Sequence, residues 1–248
     1  MHLDYNKFLK HFLKFVNFRN NLMVKESKKI IVGVDEAGRG PVLGPLVMVA
    51  VAVKEDKIKK LEWMGVKDSK LLSSSVREEI FEQLRDVIDD FRIEVVEPDA
   101  IDLSLEEVES NLNWLEADTS ARLVSELDPD KIIVDCPSVN IPAYRDYFAA
   151  KLSKGVKDKA ELIVEHKADF NYIVVAAASV IAKVIRDRQI DKIKTEIGID
   201  FGSGYMSDPK TQKFLEKHHK THAHLFRKKW KSYQNVEIKK QQKKLGEF

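Results

Sequence analysis

Two apolar runs near the start of the chain lie so close together that they constrain its architecture. Lys29 to Asp35 is a short β-branched stretch, and Leu46 to Val53 is apolar nearly throughout. An apolar run without alternation marks a strand buried on both faces. Between them, Ala37-Gly38-Arg39-Gly40-Pro41 breaks the first strand and leaves no room for a helical crossover, so the sheet is mixed rather than all-parallel. Ser75-Val76-Arg77-Glu78 is a capping box, predicting a helix to about Asp90. Phe91 to Glu97 reads as a strand ending at Pro98, and Ser104-Leu105-Glu106-Glu107 as the start of a second capped helix through Leu112, Leu115 and Leu123. Lys131 to Asp135 and Leu162 to Glu165 are further strands, and Phe170 to Ile197 a long helix. Five strands in the order strand, strand, helix, strand, helix, strand, helix, strand, helix describe an α/β layered domain.

Gly198, Gly202 and Gly204 mark a loop before basic terminal helices. The expected organisation is an N-terminal helical extension at 1–28, a catalytic domain at 29–203 and a basic helical segment at 204–248. A hydrophobic content of 44% supports a sizeable core and argues against wholesale disorder. The single cysteine, Cys136, excludes an internal disulfide framework and a thiolate zinc site. The longest apolar stretches, Pro45 to Val53 and Tyr172 to Ile185, are too short or are interrupted by Ser179 and Lys183 for a membrane span. Met1-His2-Leu3-Asp4 opens no secretory signal, so a cytoplasmic protein is expected.

The net charge of +2 conceals an asymmetry. Asp86 to Asp130 holds 15 acidic and 2 basic residues, whereas Tyr205 to Phe248 holds 12 Lys or Arg against 4 acidic. That layout suits a chain gripping a polyanion with one part only, although lysine-rich helices are more often simply solvated.

The chemistry concentrates at Val34-Asp35-Glu36-Ala37-Gly38-Arg39-Gly40-Pro41. Neighbouring residues of a regular strand point to opposite faces, so Asp35 and Glu36 share one site only if the strand ends or bends there. Two acids at a buried strand end are costly without a neutralising cation. Gly33 to Gly40 also has the glycine spacing of a phosphate loop, but Arg39 and Gly40 stand where such a loop needs Lys and Ser or Thr. Asp135 ends another apolar strand, and Asp169 follows Leu162 to Glu165 at the start of the long helix, where a cap is the simpler reading for it alone. Carboxylates from several strand ends are how a sheet builds a cage for Mg2+ or Mn2+. Two such ions suit phosphodiester hydrolysis.

Asp35-Glu36-Ala37-Gly38-Arg39-Gly40-Pro41, Lys67-Asp68-Ser69-Lys70, Val134-Asp135, Lys167-Ala168-Asp169 and Ala177-Ala178-Ser179-Val180-Ile181-Ala182-Lys183-Val184-Ile185-Arg186-Asp187 together resemble ribonuclease HII, a type 2 ribonuclease H. Gly202-Ser203-Gly204-Tyr205-Met206-Ser207-Asp208-Pro209-Lys210-Thr211 is similar to archaeal members, with Met206 where proline is usual. The resemblance spans 29 to about 235. It implies an RNase H-like fold and a metal site of Asp35, Glu36, Asp135 and Asp169. It further implies that Gly38-Arg39-Gly40 reads the ribose 2′-hydroxyl through backbone groups, that Tyr205 stacks on the sugar at the RNA-to-DNA step, and that Lys70 contacts the phosphate near the cut. Ser179 and Lys183, four apart on one helix face, support the site or touch phosphate, unless they are packing and a solvated lysine.

The implied activity is cleavage of the RNA strand of RNA–DNA hybrids and cutting 5′ of single ribonucleotides in duplex DNA. The implied products carry 3′-hydroxyl and 5′-phosphate ends. A monomer is expected; a sliding clamp as partner finds no support in the sequence. A non-catalytic binding module and a scaffold subunit are the rival classes, and acids at every expected metal position argue against the first. His218, His219, His222 and His224 include one pair, His218 and His222, at a metal-ligand spacing, but solvated histidines on a basic helix are the better reading. Trp230, among Arg227, Lys228, Lys229 and Lys231, either stacks near nucleic acid or anchors the terminal helix.

Overall fold

A computed structural model describes residues 28–66, 73–106 and 110–245. The expected N-terminal extension, apart from Lys28, and the Lys67-Asp68-Ser69-Lys70 motif lie outside these residues. Five strands, β1 (Ile30–Ala37), β2 (Leu46–Lys54), β3 (Asp90–Val96), β4 (Lys131–Asp135) and β5 (Glu161–Glu165), form one mixed sheet in the order β3-β2-β1-β4-β5. β1 pairs antiparallel with β2 and parallel with β4. β3 runs antiparallel to β2, and β5 parallel to β4. The helices are α1 (Ile58–Trp63), α2 (Ser74–Leu84), α3 (Pro98–Ser104), α4 (Leu112–Ser125), α5 (Ile141–Lys151), α6 (Lys154–Lys159), α7 (Ala168–Asn171), α8 (Ile173–Ile197), α9 (Pro209–His218) and α10 (Lys231–Leu245).

β2 explains why a strand can be apolar at every position. Val47, Val49, Val51 and Val53 join one core with α1, α2 and α8, while Leu46, Met48, Ala50 and Ala52 join a second with α3, α4 and α5. Helices therefore cover both faces of the sheet, as the unbroken apolar run predicts. α8 lies directly on β1: a side chain at Gly33 would stand 2.5 Å from the Val174 backbone, so only glycine permits this approach. A third apolar cluster joins Val42 and Leu43 to Ile190, Phe201, Phe214, Leu215, Leu225, Phe226 and Tyr233. Through it the segment from 201 to 233 packs on the loop between β1 and β2. No helix among the described residues is long and apolar enough to cross a membrane.

Helix boundaries depart from the sequence reading in four places. The cap of α2 is Ser73, whose side chain accepts from Val76 N, rather than Ser75. α2 ends at Leu84, not near Asp90, because Val87 and Ile88 turn into the core and Asp89 N donates to Ala52 O at 2.9 Å to set β3 in register. Ser104 closes a helix instead of opening one. α3 begins at Pro98, whose fixed φ suits a first helical position, and Ser104 Oγ bonds back to Ile101 O at 2.7 Å. The following helix starts at Leu112, capped by Asn111. Finally, Phe170 to Ile197 is not one helix: Tyr172 is extended (φ −122°, ψ 120°) and separates α7 from α8.

Candidate active site

β1 runs regularly to Ala37, paired residue by residue with β2, so it neither ends nor bends at the two acids. Asp35 and Glu36 consequently take opposite faces. Asp35 faces α8 with Gly33, and Glu36 faces the side of α4. β4 ends at Asp135, whose Oδ1 accepts from Ala168 N at 3.0 Å. His166 Nδ1 lies 3.0 Å from Cys136 O and closes the same turn. Lys167 adopts a left-handed conformation (φ 59°), which swings α7 inward and buries Asp169. One carboxylate oxygen from each of Asp35, Asp135 and Asp169 then lies within 4.8 Å of the other two. Among the described residues this is the one such gathering of three or more His, Cys, Asp or Glu. Glu36 stands beside it and outside that radius.

The electrostatics follow from the burial. Burial pushes the Asp35 carboxyl up to about 7; a hydrogen bond from Ser179 works against the rise, and Asp135 adds to it. Glu36 N–H also donates to Asp35 Oδ1 at 2.7 Å. Lys183 Nζ bonds Ser179 Oγ at 2.9 Å, so these two residues form a chain leading to Asp35. Burial likewise raises Glu36 well above the usual carboxylate range, followed by the charges of Glu116, Asp35 and Asp135. All-oxygen donors that raise one another's affinity for protons are the donor set a hard divalent cation stabilises. The cluster fits Mg2+ or Mn2+.

A groove adjoins the acids, lined by Glu36, Gly38, Arg39, Gly40, Arg77, Lys183, Arg186 and Tyr205 among others. Gly38 has φ +84°, and a side chain there would stand 2.7 Å from Pro45 O. A side chain at Gly40 would lie 3.7 Å from Tyr205 Cε1, so the glycine loop and the tyrosine face each other. The Arg186 guanidinium lies 5.1 Å from the centre of the Tyr205 ring, a cation–π distance. The Arg39 side chain turns from the loop to α4, where Nε meets Glu116 Oε1 at 2.9 Å and Nη2 meets Asn113 Oδ1 at 2.7 Å.

The molecule thus gathers Asp35, Asp135, Asp169 and Ser179 at the acids and Glu36, Gly38, Arg39, Gly40, Lys183 and Tyr205 along the groove. Lys70 lies outside the described residues.

The match to known proteins covers nearly all of the described chain. The family model for ribonuclease HII matches residues 32–233. The chain belongs to the ribonuclease HII family. Ribonuclease HII of Pyrococcus abyssi is 42% identical over 212 residues, 84% of this chain and 92% of the relative. The crystal structure of ribonuclease H2 from Pyrococcus horikoshii superposes with a TM-score of 0.76 at 40% identity, covering 85% of this chain and 98% of that one. A structure of the PCNA:RNase HII complex from Archaeoglobus fulgidus gives 0.72 at 35% identity, covering 83% and 96%. As a ribonuclease HII the chain is a ribonuclease H hydrolase with an RNase H-like fold, the class that acts on RNA–DNA hybrids.

Three residues of this ribonuclease HII site escaped the sequence reading. Glu116 is fully buried beside Glu36 and Arg39, and burial lifts it to about 7 against the pull of Arg39. Arg186 is buried and donates to Ser203 O. It falls three residues after Lys183, a spacing that puts both on one helix face, and it stands within the helix motif that carries the family resemblance, although no role was assigned to it there. Arg227 is wholly buried and bonds only backbone carbonyls of the loop after β1 among its described partners. One expectation for the terminal segment needs correcting: His219 is buried, 3.3 Å from Glu237, rather than solvated. Of the two roles open to Trp230, the structure shows the anchoring one, since it is packed against two of the apolar clusters and over the Arg227 guanidinium.

Proposed function

We propose that this ribonuclease H hydrolyses the RNA strand of RNA–DNA hybrids and cuts 5′ of single ribonucleotides in duplex DNA. The products carry 3′-hydroxyl and 5′-phosphate ends, and the reaction is two-metal-ion hydrolysis. The observation that carries this reading is the approach of Asp35, Asp135 and Asp169 to within 4.8 Å beside a groove where a glycine loop faces a tyrosine. Asp35, Asp135 and Asp169 hold the ions, with Glu36 completing the set from the next position of β1. Bound divalent ions supply charge neutralisation at the attacking and leaving oxygens. The chain's own groups orient the substrate. The backbone of Gly38-Arg39-Gly40 reads the 2′-hydroxyl, Tyr205 stacks on the sugar at the junction, and Lys70 and Lys183 meet phosphate. Ser179 holds Asp35 in position.

The body at 29–203 carries the metal-site acids, and the basic helical segment at 204–248 contributes Tyr205 to the groove. The task is removal of ribonucleotides and RNA primers from DNA. The clamp complex of the Archaeoglobus fulgidus relative supports a sliding clamp as a partner of this chain too. Incubation with a DNA duplex holding one ribonucleotide is the test. Cleavage on its 5′ side is expected with Mg2+ or Mn2+ and none with chelator. An intact duplex at every metal concentration would leave a binding module or a scaffold in place of an enzyme.

A further inference from the structure

Glycine has no side chain by which to hold a backbone in one shape, and fixing it in one conformation is entropically expensive. In the loop from Gly38 to Gly44, whose Val42 and Leu43 pack in the third apolar cluster, the carbonyls of Gly38, Arg39 and Gly44 are gripped from beneath by one side chain. Arg227 Nη2 donates to Gly38 O at 2.6 Å and Nη1 to Arg39 O at 2.8 Å. Its Nε and Nη2 also reach Gly44 O, at 3.1 and 2.9 Å. The fork geometry of a guanidinium lets one side chain grip three carbonyls in fixed relation, which a lysine ammonium does not reproduce.

The consequence lies on the other edge of the same peptides. In a trans peptide the N–H points opposite to the C=O of the same plane. With Gly38 O and Arg39 O both drawn to Arg227, the N–H groups of Arg39 and Gly40 point away from it. Arg227 is fully buried and Gly40 is exposed opposite Tyr205, so that direction is the groove.

We propose that Arg227 is a positioning residue for ribose recognition: by gripping the Gly38 and Arg39 carbonyls it fixes the Arg39 and Gly40 N–H groups as donors to the substrate sugar. This rests on the ribonucleotide-cutting reading above. Two features separate it from plain structural packing. The peptides gripped are those whose opposite edges line the groove, and the Arg39 side chain is tethered independently by Glu116 and Asn113. Burial lowers Arg227 only to about 10, so it stays a cation at neutral pH. Donors fixed in advance lose no ordering entropy when the sugar arrives.

The test compares the wild type with Arg227→Lys on two DNA duplexes that differ by one ribonucleotide. Affinities are read by fluorescence anisotropy in Ca2+, kcat and KM in Mg2+, Mn2+ binding by calorimetry and folding by Tm. The expected result is that Arg227→Lys loses at least tenfold in kcat/KM on the ribonucleotide duplex and loses the preference for it over all-DNA duplex. Its all-DNA affinity and Mn2+ binding stay within twofold of wild type. An unchanged preference overturns the proposal, and so does an equal loss on both duplexes, which a merely structural role would give. If Arg227→Lys does not fold, Arg227→Gln, which removes the buried charge and keeps a donor, is judged by the same readings. A wild type that neither cuts nor prefers the ribonucleotide duplex would instead sink the functional reading, and this proposal with it.

Discussion

Asp35 shows how a single buried side chain couples stability to pH. Folded, its carboxyl holds a proton up to about 7, whereas the ordinary value it regains on unfolding is 3.8. Between those values the folded chain binds more protons than the unfolded one, so stability falls as pH rises through the window. Asp35→Asn removes that cost. In chelator at pH 8 the variant should melt higher than the parent, by roughly 2–4 °C for each kcal/mol relieved. It should also lose turnover while still binding duplex. A calorimetric scan with no gain in Tm at pH 8 contradicts the buried-charge account. The acids were visible in the sequence because each lies near, at or just beyond the end of an apolar strand. Glu116 and Arg227 were not. Glu116 lies in the most acidic stretch, where a solvated face is the ordinary reading, and Arg227 heads an Arg-Lys-Lys run that looks like surface. What buries Arg227 is a set of carbonyls up to 189 positions away, which no local window contains.

At the level of elements, strands were easier to read than helix ends. β2 and β4 carry their burial in their composition, and the short link from β1 to β2 forces their antiparallel pairing. Helix ends depend on which of several serines or asparagines wins the backbone donors: Ser73 wins over Ser75 at α2, and Asn111 over Ser104 at α4. The break at Tyr172 was hidden because nothing in the sequence there, neither glycine nor proline, interrupts the helical pattern. The packing of α8 on β1 yields its own prediction. Gly33→Ala puts a methyl group 2.5 Å from the Val174 backbone. Overpacking of that kind costs about 1–3 kcal/mol. The urea midpoint should drop accordingly, and a midpoint equal to the parent's would mean that α8 can shift without cost.

Across the whole molecule, the acidic middle and the basic tail meet each other as well as solvent. Lys228 pairs with Asp99 at 2.7 Å and Lys229 with Glu106 at 2.9 Å, and both backbone N–H groups donate to Asp102. The charge asymmetry read from the sequence is therefore spent partly on docking the terminal segment. When log affinity for duplex is plotted against log salt, every phosphate neutralised by the protein steepens the line by about 0.9. Replacing Lys228 and Lys229 together by alanine should leave that slope nearly unchanged in an anisotropy titration. A fall of about two would mean that both lysines hold phosphate instead.

The grip of Arg227 on the loop behind β1 also has a consequence in time. A ribosome extends the chain from its N-terminus, so Asp35 and the glycine loop emerge long before the arginine that clamps them. Until that late stretch has been translated, the nascent polypeptide carries the loop unclamped. On the proposal that Arg227 positions this loop, discrimination between one sugar and another waits for that late stretch to be made.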